Sequence, residues 1–442
     1  MSGRHICCVA LLLLSAALVA SARQSAVGDL VVARALAIHE RAVTIDTHVD
    51  IGGATYATPA LDPGAEKTTL KCDLTKMEKG QLDGVFLAVY VGQGPLDASG
   101  YRKAYEQALV KFEALKRLTE QMYPNRAAFA TSPADVERIE KTGRRIIMTG
   151  VENGYPVGVE LVNVKRFYDL GARYITITHS GNNQFADSSG ARQPLHNGLS
   201  VLGRQLVGEM NRLGMMIDVS HIADKSFWDI MAATKAPIIA SHSGCRALCT
   251  SDRNLTDAQL QALAKNGGVI QVVALASYLK AEDPARSEAI ARLRKELGLP
   301  TAGRGGAGGA GTPAARGETA SGRAAPPEMT DRERAEYDKR MAQYRERMKA
   351  IDAKYPTATV KDFVDHIDHA VKVAGIDHVG IGTDFDGGGG IPGFNDDTEA
   401  PNVTIELLRR GYTEAQIRKI WGENLLRVWR DVEKVSAGLR RK

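Results

Sequence analysis

Residues 215–242 read MMIDVSHIADKSFWDIMAATKAPIIASH. Two short apolar runs, each closing on a histidine, flank an amphipathic stretch. A Val- or Ile-rich run, then helix-period sequence, then a second such run marks a βαβ unit with parallel strands. The alternation continues in both directions. Candidate strands are Val43–Asp50, Gly84–Tyr90, Arg145–Glu152, Arg173–His179, Met215–His221, Pro237–His242, Val269–Ala274 and His378–Asp384. Eight parallel strands with intervening helices close a (β/α)8 TIM-like barrel. One such barrel suits 442 residues better than two unrelated domains; a doubly wound open sheet is the alternative. Ser200–Leu213 illustrates a connecting helix: Leu202, Leu206, Val207, Met210 and Leu213 share one face, and Gly214 stops it.

With 44% hydrophobic and 25% charged residues the chain can bury a sizeable core, which excludes disorder throughout. The net charge of +5 includes +3 from residues 281–355. The remainder is close to neutral, so the dense basic face that nucleic acid demands is not expected. Residues 1–22 read as a cleaved secretory signal: Arg4 and His5, an apolar run from Ile6 to Ala20, then Ala20-Ser21-Ala22. The run is short of the ~20 residues a membrane span needs, so the expectation is a secreted or periplasmic protein with no stable anchor after cleavage. Cys72, Cys245 and Cys249 would remain, too few for a disulfide framework.

The barrel is expected over 30–280 and 356–435, with 281–355 inserted between the seventh and eighth candidate strands. Within the insertion, 301–327 is rich in Gly, Ala and Pro, including Gly303–Gly311, and reads as a disordered linker. The charged flanks Ser287–Leu297 and Thr330–Lys354 favour helix. A solvated helical hairpin is the reading; a lid or partner-docking arm is the alternative.

Four of the ten histidines, His48, His179, His221 and His242, fall at candidate strand ends. In a (β/α)8 barrel these ends converge on the mouth where active sites are built. Alternation puts Asp46, His48 and Asp50 on one side of the first strand, so His48 and Asp50 can chelate an ion while Asp46 supports them. Glu152, between the strand end and Gly154, could reach two ions with its two oxygens. With His221 and His242 this makes three histidines and two carboxylates, an inventory suited to two Zn²⁺ sharing a bridging carboxylate. Asp384, in Gly380-Ile381-Gly382-Thr383-Asp384-Phe385-Asp386-Gly387, is the candidate proton carrier ahead of Asp386.

The set HxD (His48, Asp50), GVE (Gly150–Glu152), THSxN (Thr178–Asn182), the two later strand-end histidines and GxDFDG (Gly382–Gly387) resembles the membrane dipeptidases, renal-dipeptidase-like metallopeptidases of the amidohydrolase superfamily. The resemblance runs from about residue 40 to 280 and again from 360 to 432. It implies a barrel binding two zinc ions and hydrolysing dipeptides, with tolerance of a D-residue at the C-terminal position. One zinc would be held by His48, Asp50 and Glu152, the other by Glu152, His221 and His242. His179 would polarise the scissile carbonyl, and Arg253 and Tyr278 would approach the substrate, Arg253 gripping its carboxylate bidentately. Asn153 and Tyr155 stand where relatives commonly show Gly and His, and Ile51-Gly52-Gly53 lacks an aromatic common after the first-strand aspartate.

The expectation is therefore a binuclear zinc dipeptidase in which a metal-bridging hydroxide attacks the peptide carbonyl and Asp384 carries the proton to the leaving amine. The partner is a dipeptide, not nucleic acid; a homodimer is left open. The rivals are a related hydrolase of another amide, lactone or ester and a non-catalytic peptide-binding barrel.

Overall fold

A computed structural model of the chain describes residues 28–300 and 331–441. The signal segment 1–22 and the linker 301–327 lie outside the described residues. The strands are β1 (Ile45–Asp50), β2 (Gly84–Tyr90), β3 (Ala127–Phe129), β4 (Arg145–Glu152), β5 (Ala172–Thr176), β6 (Met216–Asp218), β7 (Ile238–Ser243), β8 (Val269–Val272) and β9 (Val379–Ile381). Eight run parallel in the order β1-β2-β4-β5-β6-β7-β8-β9. The short β3, which the sequence reading lacked, pairs only with the first residues of β4. Past β9 the chain meets β1 again: Asp384 N–H donates to the His48 carbonyl at 2.9 Å and Asp50 N–H to the Phe385 carbonyl at 2.9 Å. The result is a nearly closed (β/α)8 barrel, as the strand count predicts.

Period-two alternation sorts side chains to two cores. Val85, Leu87 and Val89 of β2, with Ile147 and Val151 of β4, pack in the large cluster shared with the helices. Phe86, Ile146 and Met148 join Tyr174, Met216, Ile239 and Trp429 in a second cluster. Trp429 lies on the C-terminal helix Asn424–Arg440. Its ring is 5.8 Å from Phe86, Phe86 is 5.4 Å from Tyr174, and Tyr174 is 6.4 Å from His48. An aromatic column thus runs up to the first candidate ligand. Gly150 makes room for it, since a Cβ there would stand 2.2 Å from the Tyr174 ring.

Several strands end earlier than their sequence suggests. β5, β6 and β9 stop at Thr176, Asp218 and Ile381, so His179, His221 and Asp384 sit beyond them in loops and not on the last strand residue. At His221 and Asp384 φ is +67° and +60°, values no strand residue adopts, so the chain has left the ladder there. The helix Val201–Leu213 forms as the spacing predicts. Ser200 accepts from Gly203 N–H at its start, and Gly214 ends it at φ +83°.

In the insertion, helices Pro284–Glu296 and Asp331–Lys354 are joined by a small cluster of Leu293, Leu299, Met341 and Tyr344. Arg286–Asp352 and Arg347–Glu296 ion pairs span them. Cys72, Cys245 and Cys249 are buried free thiols. Among the described residues no helix is long and apolar enough to cross a membrane.

Candidate metal centre

β1 delivers His48 and Asp50, β4 ends on Glu152, β7 carries His242, and the loops after β5 and β6 bring His179 and His221. Glu152 is the hub. Its Oε2 lies 3.3 Å from His48 Nε2, and its Oε1 lies 3.1 Å from His221 Nε2, 3.5 Å from His242 Nε2 and 3.7 Å from His179 Nε2. Three overlapping groups have ligand atoms close enough to share an ion: His48, Glu152 and His242; Glu152, His179 and His221; and His48, Asp50 and Asp384. The structure thus brings together all five expected ligands with His179 and Asp384. The groups cut across the two expected ligand sets, placing His242 with His48 and His179 with His221.

These residues fit a metal. His48 Nε2 and Asp50 Oδ1 are buried and make no hydrogen bond among the described residues. His221 Nε2 and His242 Nε2 stand 2.9 Å apart, a distance that needs a proton or a cation between two nitrogen lone pairs. Seven side chains whose N and O atoms fall into three overlapping groups suit a metal ion.

The charges agree. Burial resists the charge on His48, but Glu152, Asp50 and Asp384 outweigh it and push its pKa up to about 10. Burial and the neighbouring Glu152 push Asp50 up to about 7. Burial, then Asp50, holds Asp384 well above the usual carboxylate range. Glu152 goes the other way: despite burial, His48 and His221 hold it well below. His221 and His242 are driven far down by burial, with Arg253 and the other histidines adding to it. Asp50 and Asp384, crowded enough to resist ionising, beside His221 and His242, kept neutral, are what a dication would relieve.

Hydrogen bonds aim the ligands. Asp46 Oδ1 accepts from His48 N–H at 3.0 Å and from Thr383 N–H at 2.9 Å, the support expected of it. Tyr174, not anticipated from the sequence, lies 3.0 Å from His48 Nδ1 through its hydroxyl. Tyr90 was also missed, although the strand-end rule would have found it as the last residue of β2. Its ring packs 4.6 Å from His179. Lys111, on the helix Ala98–Lys116, anchors the chain after Asp50 by donating to the Ile51 carbonyl at 2.8 Å.

The two loop carboxylates separate. Asp384 faces His48 and Asp50, and a Cβ at position 387 would meet Asp50 Oδ2 at 2.1 Å and Asp384 Oδ1 at 2.3 Å, so a side chain there would displace both carboxylates. Asp386 turns away. Its oxygens accept from the backbone N–H groups of Lys71 at 2.8 Å and Cys72 at 3.1 Å. At the rim, His179 is 21% exposed, and burial lowers it to about 4. Ser180 Oγ is 2.9 Å from its Nδ1. Arg253 lies with its guanidinium carbon 5.3 Å from the Tyr278 ring centroid, and its Nε and Nη1 are buried without a hydrogen-bond partner among the described residues. That is a ready seat for an anion. Of the residues that depart from the expected pattern, Asn153 (φ +71°) donates to the Val91 carbonyl at 3.1 Å, and the Tyr155 hydroxyl donates to the Pro95 carbonyl at 2.6 Å.

The family model of the membrane dipeptidases, peptidase family M19, matches residues 32–442. Dipeptidase tcpJ of Claviceps purpurea (strain 20.1) is 29% identical over 370 residues, 83% of this chain and 70% of that one. The crystal structure of the probable dipeptidase PvdM from Pseudomonas aeruginosa is similar at a TM-score of 0.74 and 32% identity, over 92% of this chain and 99% of that one. A metallo peptidase from Rhodobacter sphaeroides, liganded with a phosphinate mimic of L-Ala-D-Ala, shares the fold at a TM-score of 0.64 and 24% identity, over 88% of this chain and 99% of that one. A barrel whose ligating side chains converge at its mouth, matched by that family almost from end to end, belongs to the membrane dipeptidases, peptidase family M19, and is a metal-dependent dipeptidase.

Proposed function

We propose that the protein is a binuclear zinc dipeptidase, exported by its N-terminal segment, that accepts dipeptides with either an L- or a D-residue at the C-terminal position. The observation that carries this reading is the division of Glu152, one oxygen toward His48 and the other toward His221 and His242. His48, Asp50 and Glu152 would hold one ion and Glu152, His221 and His242 the other. When bound, zinc supplies an activated water at neutral pH and polarises the scissile carbonyl.

The rest falls to the chain's own groups. Arg253, with guanidinium N–H groups left unpartnered, receives the substrate's terminal carboxylate. His179, kept neutral by burial, donates N–H from Nε2 to the carbonyl oxygen as negative charge develops there. Asp384, as the carboxylate, takes the proton of the attacking water and passes it to the departing amine; burial raises its affinity for that proton. The L-Ala-D-Ala mimic held by the Rhodobacter sphaeroides protein supports the stereochemical breadth. The test is a hydrolysis screen of L-L and L-D dipeptides on zinc-reconstituted protein. The expected result is turnover abolished by chelation and restored by zinc. Hydrolysis confined to lactones or other amides, or to none, would overturn the reading.

A further inference from the structure

We infer that Asp218, acting through Ser241, is a positioning residue that fixes the tautomer of His242 and so aims its Nε2 at the metal. The inference rests on the zinc site proposed above. Asp218 is fully buried at the end of β6, and Ser241 and His242 are buried on β7. The carboxylate accepts four hydrogen bonds: Oδ1 from Ser220 N–H at 3.0 Å and Ser241 N–H at 2.8 Å, Oδ2 from Thr176 Oγ1 at 2.5 Å and Ser241 Oγ at 2.6 Å.

Proton placement follows from these contacts. A carboxylate has no proton to give, so at 2.6 Å the Ser241 hydroxyl must donate to it. A hydroxyl has one proton, so Ser241 Oγ faces His242 Nδ1, 2.8 Å away, with a lone pair. His242 Nδ1 must then carry hydrogen. Its Nε2 is left with a lone pair, turned toward Glu152 Oε1 and His221 Nε2. Without Asp218 the Ser241 hydroxyl could rotate and donate to Nδ1, which would put the proton on Nε2 and block the metal.

The first site repeats the device with different groups. His48 Nδ1 lies 3.0 Å from the Tyr174 hydroxyl, which donates to the Thr47 carbonyl at 3.2 Å. A carbonyl cannot donate, so Tyr174 accepts from Nδ1, and Nε2 is the His48 nitrogen left facing Glu152. Two unrelated hydroxyls thus accept from Nδ1 of two histidines and leave Nε2 of each turned toward Glu152.

The experiment titrates the zinc-loaded protein with a chromogenic chelator, resolving the two ions by affinity. Ser241→Ala removes the relay but leaves three donors on Asp218, so folding is spared; Asp218→Asn removes its anchor. Both should weaken one zinc by about 10–100-fold and leave the other unchanged. Unaltered affinity in Ser241→Ala would overturn the inference, as would equal weakening of both ions, which marks general damage. Fewer than two zinc ions in the unsubstituted protein would instead sink the binuclear reading, and this inference with it.

Discussion

Asp46 holds Thr383 with both carboxylate oxygens, Oδ1 on the backbone N–H at 2.9 Å and Oδ2 on the hydroxyl at 2.5 Å. One residue is on the first strand and the other just past the last, so this pair sews the barrel's seam beneath the metal centre. Asp46→Ala would strand two buried amides, those of His48 and Thr383, and one hydroxyl. At about 1–3 kcal/mol for each buried group left unsatisfied, the loss should be on the order of 4 kcal/mol, against about 3 kcal/mol for Thr383→Val, which strands the Phe385 amide and one Asp46 oxygen. Urea unfolding measures both. A midpoint for Asp46→Ala equal to the unsubstituted protein's would mean that the seam is held by other contacts.

Glu152→Gln should empty both metal positions, because Glu152 is the one residue that belongs to both proposed ligand sets, with an oxygen toward each. Elemental analysis of reconstituted protein should find close to two zinc ions per unsubstituted chain and well under one in the variant. A variant retaining one full equivalent would show that Glu152 serves a single ion.

Asp384→Asn and Asp386→Asn should part company. Loss of a general acid–base group costs about 10²–10⁴-fold, so Asp384→Asn should lower kcat by that order with two zinc ions retained and KM unchanged. Asp386 is committed to the amides of Lys71 and Cys72, so its variant should lose about 1 kcal/mol of stability and little turnover. Loss of a zinc from Asp384→Asn would make that residue a ligand.

Acid should destabilise the protein partly through His39, remote from the metal. Its Nε2–H donates to the Gly80 carbonyl at 2.9 Å, and its Nδ1 lies 2.7 Å from the Thr404 hydroxyl, which Trp421 N–H also contacts at 2.7 Å. Burial lowers its pKa from 6.5 to about 4, the Gly80 carbonyl opposing only in part. As pH falls below 6.5 the unfolded chain takes up a proton that the folded one refuses, so stability declines toward pH 4 and is unaffected above 6.5. His39→Gln should shrink the stability difference between pH 7 and pH 5 by on the order of 2 kcal/mol. Equal slopes in the two proteins would rule His39 out.

Replacing 301–327 with a short Gly/Ser loop should leave dipeptide turnover within a few-fold, since its composition is that of a linker. Steady-state assays would reveal a lid instead if turnover fell by orders of magnitude.

Local order was legible in the sequence alone. The alternation of short apolar runs with helical spacing, counted to eight, implied the barrel, because strand and helix periods are properties of neighbouring residues. Strand-end positions singled out His48, Asp50, Glu152, His221 and His242, because parallel strands in a barrel deliver their ends to one mouth. The tertiary structure alone decided what those residues meet. The sequence motif ranks Asp384 ahead of Asp386 but gives both the same inward face, whereas Asp386 is drawn off by the amides of Lys71 and Cys72, over 300 positions away. Asp218 stands before His221 in IDVSH much as Asp46 stands before His48 in IDTH. The sequence shows that likeness, but Asp218 serves His242 through Ser241 on the neighbouring strand. A hydrogen-bond partner is chosen by distance in space, and only the closing of the barrel sets that distance.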